Sequence, residues 1–359
     1  MHPPASDPDL QSADERFMRR ALELARRGAG HVAPNPMVGC VVVHEGRVLG
    51  EGFHARFGGP HAEVEALHQV TRRDLLPTAT VYVTLEPCAH YGKTPPCADL
   101  LLREGVRRVV IANVDPNPLV GGQGLARLRA GGVEVVTGVL QAAAAQLNRR
   151  FFTRITEQRP YVVLKWAQTA DGYLARADGS SRWISGALSR RWVHRWRTEE
   201  AAILVGAGTA VTDNPRLTAR DWEGPSPLRV VIDRRGQLPD ALHLLDGTVP
   251  TRCYTTAPQP ADRPGVTYVA LREGTPVVQQ VLTDLHAAGV ASLFVEGGAR
   301  TLRTFFDAAL WDEARVFTAP KTFGDGLPAP RPRGQLRREV AVGDDRLQWW
   351  VRDPPAETF

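Results

Sequence analysis

Cysteine is scarce in this sequence, with four among 359 residues. Four thiols cannot staple a chain of this length into a disulfide scaffold, which excludes a small secreted, loop-rich class. Paired cysteines then become candidates for metal binding or chemistry in a reducing compartment. Also missing is any run of about 18 apolar residues, the length a membrane-spanning helix needs. The amino terminus is rich in Pro and Asp rather than basic and then apolar, so no secretory signal is expected and a soluble, cytoplasmic protein is. No fixed-period repeat is present, which removes solenoids and propellers. Nor does one charge dominate: 44 Lys and Arg against 39 Asp and Glu leave a net +5. That excess suits nucleic acid and phosphorylated small molecules equally.

What is present is apolar residue enough, 43% of the chain, for two ordinary cores. Asp14 to Arg27 carries Phe17, Met18, Ala21, Leu22, Leu24 and Ala25 on one broad helical face. Met37–Val43 and Val48–Glu51 read as a strand pair across the turn His44-Glu45-Gly46. Ala62–Val70 and Ala98–Gly105 read as helices, Thr80–Thr84 and Val109–Ala112 as strands. A polar, Ala-rich helical stretch at 141–160 leads through Asn148-Arg149-Arg150 to Arg159-Pro160, and the domain boundary is placed there, giving domains 1–150 and 151–359. Beyond it, strands are expected at Tyr161–Leu164, Ala202–Val205, Arg229–Ile232, Ser292–Val295 and Arg315–Thr318, with helices at Ser189–Thr198 and Arg300–Leu310. Leu327–Arg333, rich in Pro, reads as a surface loop. Alternation of this kind in both halves means α/β layer folds.

The sharpest motif is His61-Ala62-Glu63, followed by Pro87-Cys88 and, after eight intervening residues, Cys97. One imidazole and two thiolates suit tetrahedral zinc and leave a fourth position for water, whose pKa the metal lowers. Zinc deaminases carry this order of residues, with a glutamate two residues after the histidine that is not a ligand and acts as general acid/base. Here the two cysteines are more widely spaced than in that pattern, so a loop must fold back. Glu63 would carry a proton from the activated water to the departing ammonia. His90, inside the loop, is a competing ligand, and a structural zinc is the plainer alternative. Cys40 and Cys253 read as buried small residues.

The full string Pro87-Cys88-Ala89-His90-Tyr91-Gly92-Lys93-Thr94-Pro95-Pro96-Cys97, with His61-Ala62-Glu63 and Asn35-Pro36, resembles the family of bifunctional riboflavin-biosynthesis deaminase/reductases along essentially the whole chain. The resemblance implies a cytidine-deaminase-like three-layer domain followed by a dihydrofolate-reductase-like α/β domain. It further implies deamination of 2,5-diamino-6-ribosylamino-4(3H)-pyrimidinone 5′-phosphate in the first, and NADPH-dependent reduction of the ribosyl group to ribityl in the second. By it, Zn2+ would be held by His61, Cys88 and Cys97, with Glu63 catalytic. Asn35, His54, His90, Lys93 and Thr94 would meet base, ribose or phosphate, and the protein would be a homodimer or larger. No nucleic-acid or membrane partner is expected.

In the second half, Gly206-Ala207-Gly208 follows a strand, but Val211 stands where the dinucleotide fingerprint has its third glycine. Val295-Glu296-Gly297-Gly298-Ala299-Arg300 runs from strand to helix and would aim backbone N–H groups at a phosphate. By the resemblance, Gln168, Trp183, Thr209, Asp213 and the run Gly298, Ala299, Arg300, Thr301, Leu302, Arg303 and Thr304 would contact NADPH. Lys165, Ser181, Arg197, Leu217, Arg220 and Glu296 would contact substrate. Arg234 stands where the family often has a small residue, which puts a cofactor contact there in doubt. The basic run Arg190-Arg191, Arg195 and Arg197 interleaves with Trp192 and Trp196. Helical spacing puts Leu188, Trp192 and Trp196 near one apolar face, so a core helix with a solvated basic face is expected rather than a nucleic-acid surface. The rival readings are a nucleic-acid editing deaminase, whose cysteines would stand closer together, and a non-enzymatic zinc-stabilised binding module.

Overall fold

The computed structural model describes residues 8–91, 95–118, 120–180, 183–258 and 263–353. The chain divides into two units, Met1–Glu157 and Gln158–Phe359. The seam thus falls seven residues beyond the position expected from sequence, because the helix Arg149–Thr156 counts with the first unit. Among the described residues no helix is long and apolar enough to cross a membrane.

The first unit runs α1 (Pro8–Ala25), β1 (Gly39–His44), β2 (Arg47–Phe53), α2 (Ala62–His68), β3 (Thr80–Leu85), α3 (Cys97–Arg103), β4 (Arg108–Asn113), α4 (Gln123–Ala130), β5 (Glu134–Thr137), α5 (Gln141–Leu147) and α6 (Arg149–Thr156). Its sheet has the order β2-β1-β3-β4-β5. β1 is antiparallel to both β2 and β3, whereas β3, β4 and β5 run parallel. Alternate side chains of the strands enter opposite layers. Cys40, Val42, Val81, Val83, Val109 and Ile111 pack with Ala62, Ala66, Leu101 and Leu128. Val41, Val43, Tyr82, Val110 and Ala112 pack with Phe17, Met18, Ala21, Leu22 and Ala144 on the other face. Helix α2 lies directly on the backbone of β2, where a Cβ at Gly52 would stand 2.4 Å from the Ala62 carbonyl and one at Gly50 2.2 Å from that of Ala66. Only glycine permits that approach, and it fixes the height at which His61 and Glu63 leave the sheet.

The second unit runs β6 (Tyr161–Thr169), β7 (Tyr173–Ala175), α7 (Ala187–Glu199), β8 (Ala202–Gly206), α8 (Ala207–Asp213), β9 (Leu228–Ile232), β10 (Thr251–Thr255), β11 (Val266–Ala270), α9 (Val277–Ala287), β12 (Ser292–Val295), α10 (Ala299–Asp307), β13 (Glu313–Ala319), β14 (Leu327–Pro328), β15 (Gln335–Val342) and β16 (Asp345–Val351). Nine strands form one sheet in the order β11-β10-β9-β8-β12-β6-β13-β16-β15. β11 through β13 are parallel, and the β15–β16 pair closes the far edge antiparallel. Strand β12 is buried throughout, as a central parallel strand covered on both faces must be.

Three further departures from the sequence expectation concern residues named there. Strand β6 continues past Leu164 to Thr169, which puts Lys165 and Gln168 on the strand itself. The stretch from Leu327 is not all loop, since Leu327–Pro328 pairs with β7. On α7, Leu188 is 54% exposed. The buried face is instead Ser189, Val193, Trp196 and Arg197. Trp196 stacks on Phe317 with centroids 5.6 Å apart and meets Trp192 and Trp349 edge-on.

Candidate active sites

In the first unit, His61 is the residue immediately before α2, Cys88 follows the end of β3, and Cys97 opens α3. Their ligating atoms all lie within 4.8 Å of one another. His61 Nδ1 stands 3.3 Å from Cys97 Sγ and 3.6 Å from Cys88 Sγ, and the Cys97 backbone N–H donates to Cys88 Sγ at 3.3 Å. Hydrogen bonding within this cluster, first from Cys97, holds the Cys88 thiol down at about 4, while the same bond and burial push Cys97 far up. Glu63, in the first turn of α2, is buried, and desolvation together with the Cys88 sulfur pushes its carboxyl up to about 7. His90, the competing ligand by sequence, is exposed and stands outside the cluster.

Beside the cluster, His54 is buried and its ring centroid lies 5.7 Å from that of His61. His54 Nδ1 meets the Pro60 carbonyl at 2.9 Å, so the proton sits there and Nε2 accepts from Asn35 Nδ2 at 3.3 Å. A residue that sequence reasoning passed over holds this strip in place. Asn148, between α5 and α6, accepts the Met37 N–H with Oδ1 and donates Nδ2 to the Met37 carbonyl, both at 2.8 Å. The run Asn148-Arg149-Arg150 signalled only a boundary. Lys93 and Thr94 lie outside the described residues.

In the second unit Lys165, Arg197 and Glu296 are brought together, and Thr209 is joined to Gly298. Glu296 follows β12 and receives Arg197 Nε at 2.8 Å and Nη2 at 3.1 Å, with Lys165 Nζ at 3.6 Å. Burial alone would raise the Glu296 carboxyl, yet Arg197 and then Lys165 hold it down at about 2. The remaining Arg197 nitrogen donates to the Thr218 carbonyl at 3.0 Å. That bond pins the turn at Leu217, a buried residue held at φ 52°, a strained conformation for a branched side chain of the sort that concentrates at functional sites. The Gly298 N–H donates to Thr209 Oγ1 at 2.9 Å, joining the starts of α8 and α10. Leu302 is fully buried in the core and Ala299 nearly so, so either can reach a cofactor only through its backbone. Arg300, Arg303 and Thr304 are exposed on α10, and Arg303 reaches the Pro328 carbonyl at 3.4 Å. Trp183 is 60% exposed under the Arg190 guanidinium. Gln168 Oε1 accepts from Trp166 Nε1 at 2.8 Å, and Gln168 lines a cleft of about 270 Å³ with Asp171, Tyr173 and Arg331. Asp213 closes α8, Arg220 is exposed, and Ser181 lies outside the described residues.

His194, also unremarked in the sequence, is buried on α7 one turn before Arg197, with Nε2 3.2 Å from Asp221. Burial and the Arg197 charge hold its imidazole down at about 4. Because an unfolded histidine titrates near 6.5, the unfolded chain binds more protons between those values. Stability is therefore complete above about 6.5 and is lost as pH falls towards 4. All eight tryptophans lie in the second unit, so tryptophan fluorescence reads its melting alone. We expect the midpoint to fall by roughly 5 °C over that range and the slope to flatten in His194→Gln; an unchanged slope would exclude His194 as its source.

Residues 11–113 match the cytidine and deoxycytidylate deaminase zinc-binding region, and residues 160–348 match the RibD C-terminal domain. The chain is 42% identical over 324 residues to the riboflavin biosynthesis protein RibD of Aquifex aeolicus, an alignment covering 89% of this chain and 90% of that one. The chain belongs to the RibD family. The Escherichia coli RibD is 38% identical, with 87% and 89% covered. The crystal structure of a diaminohydroxyphosphoribosylaminopyrimidine deaminase/5-amino-6-(5-phosphoribosylamino)uracil reductase from Thermotoga maritima superposes with a TM-score of 0.88 at 39% identity, covering 96% of this chain and all of that one. As in RibD proteins, a deaminase-like domain precedes a reductase domain, which is the fold class expected from the sequence.

Proposed function

We propose that the first unit hydrolyses the amino group of 2,5-diamino-6-ribosylamino-4(3H)-pyrimidinone 5′-phosphate. The second unit then reduces the ribosyl group with NADPH, giving 5-amino-6-ribitylamino-uracil 5′-phosphate. The observation that carries the reading is the convergence of His61, Cys88 and Cys97 within 4.8 Å beside buried Glu63. One nitrogen and two sulfurs suit zinc with a position to spare, and the metal would supply a Lewis acid and an acidified water. Glu63 would hold and move the proton, accepting it from the attacking water and passing it to the leaving amine. Asn35, with its amide oriented by His54, reads the base. His90, Lys93 and Thr94 meet the ribose or phosphate.

In the second unit NADPH would supply the hydride. The first-turn N–H groups of α10, uncapped by any side chain at Gly298, fit its diphosphate. Thr209, Asp213, Gln168, Trp183 and the residues 298–304 surround it. Glu296, Arg197, Lys165, Leu217, Arg220 and Ser181 hold and orient the sugar phosphate, placing the reacting carbon against the cofactor. The protein works in the cytoplasm as a homo-oligomer. A nucleic-acid deaminase would leave the second unit unexplained. The test supplies the diaminopyrimidinone phosphate to the zinc-loaded protein with NADPH or NADH. Ammonia release followed by oxidation of NADPH in preference to NADH is expected, and absence of ammonia would overturn the deaminase assignment.

A further inference from the structure

Glu86 follows the last residue of β3 and stands two residues before Cys88. It is 6% exposed. Its carboxylate accepts four backbone N–H groups: Oε2 takes Asp115 at 3.1 Å and Gly122 at 2.9 Å, and Oε1 takes Gly124 at 2.8 Å and Leu125 at 3.3 Å. The carboxylate thereby ties together the end of β3, the loop between β4 and α4, and the first turn of α4. Gly122 precedes α4 without a side-chain cap of its own, so Glu86 satisfies that helix's opening N–H groups from as far as 39 positions away.

The consequence reaches the ligand cluster. A Cβ at Gly124 would stand 2.0 Å from the Pro87 carbonyl oxygen, so α4 is pressed onto the peptide that leads into Cys88. From the other side, the Cys88 carbonyl accepts the Ala98 N–H at 3.1 Å and its sulfur accepts the Cys97 N–H. Cys88 is held between α3 and α4, and Glu86 is what brings α4 there.

We infer that Glu86 is a positioning residue of the deaminase site, which fixes the Cys88 sulfur at metal-binding distance from His61 and Cys97 by gathering the N–H groups of the loop before α4. The inference rests on the zinc-deaminase reading above. Groups that orient metal ligands from behind typically affect metal affinity about 10–100-fold. In Glu86→Gln one oxygen becomes an NH2 that faces N–H donors. In Gly124→Ala the carboxylate is intact but α4 cannot close on Pro87.

The experiment measures zinc release from the full-length protein to a colorimetric chelator, well below the melting temperature. Val110→Ala, in the core layer facing α1, serves as a control for simple destabilisation. Both Glu86→Gln and Gly124→Ala should release zinc about 10–100 times faster than wild type and lose ammonia release chiefly in kcat. Val110→Ala should release zinc at the wild-type rate despite its lower melting temperature. If Glu86→Gln releases zinc no faster than Val110→Ala, the positioning role is wrong and the deaminase reading survives. A wild-type protein that binds no stoichiometric zinc overturns both.

Discussion

Replacing Glu63 by Gln should abolish ammonia release, with kcat down by about 10³–10⁴, and leave NADPH oxidation intact when the deaminated intermediate is supplied. Gln keeps the size of the buried side chain but cannot carry a proton between water and the leaving amine. Glu63 is not one of the three clustered ligands, so zinc content should stay at the wild-type level, which separates a lost proton carrier from a lost metal. The two readouts come from one preparation, and the second unit's reaction monitors the integrity of the sample. A variant that keeps more than about a tenth of its ammonia release would remove Glu63 from the mechanism, because general acid–base groups of this kind contribute at least about 10²-fold.

The second large effect is expected from Glu296→Gln. Arg197 and Lys165 are both mostly buried against that carboxylate, with side-chain exposures of 11% and 14%. Removing its charge leaves two desolvated cations without an anion, and breaking such a pair from one side costs about 3–5 kcal/mol. Part of the cost appears as stability, read as a lower melting midpoint by tryptophan fluorescence. Part appears as function, because Arg197 can no longer be held between Glu296 and the Thr218 carbonyl, and the Leu217 turn loses its tether. NADPH oxidation on the supplied intermediate should fall at least about 100-fold in kcat/KM, while ammonia release continues. Retention of reductase activity within about threefold of wild type would show that the Glu296 charge is dispensable there.

The His61–Cys88–Cys97 cluster is legible in the amino-acid order because metal-binding chemistry is stated by residue type: a histidine, two cysteines and a glutamate at telling offsets. The long apolar strands are legible too, since β8 and β12 are continuous runs of mostly aliphatic, buried residues. Strands β10, β15 and β16 are not, because Thr251–Thr255 and Gln335–Val342 mix polar and charged residues that only pairing with neighbours makes strand-like. Leu188 misleads for a related reason: helical spacing finds a face, but which face meets the sheet is set by Trp196 and its partners. Glu86, Asn148 and His194 escape notice because their work is done on groups brought near by folding. Asn148 bonds the backbone of a residue 111 positions away, and no local pattern announces that.

That last bond also marks where the first catalytic half can be cut loose. The strip bearing Asn35 is latched by a residue lying beyond the final strand of its sheet, in the Ala-rich stretch that composition alone would treat as connecting chain. A gene divided ahead of codon 148 would deliver a piece with His61, Glu63, Cys88 and Cys97 but without the latch. One divided after codon 157 would keep the latch with the half that uses it. For anyone separating, swapping or recombining these two halves, the apparent linker belongs to the deaminase.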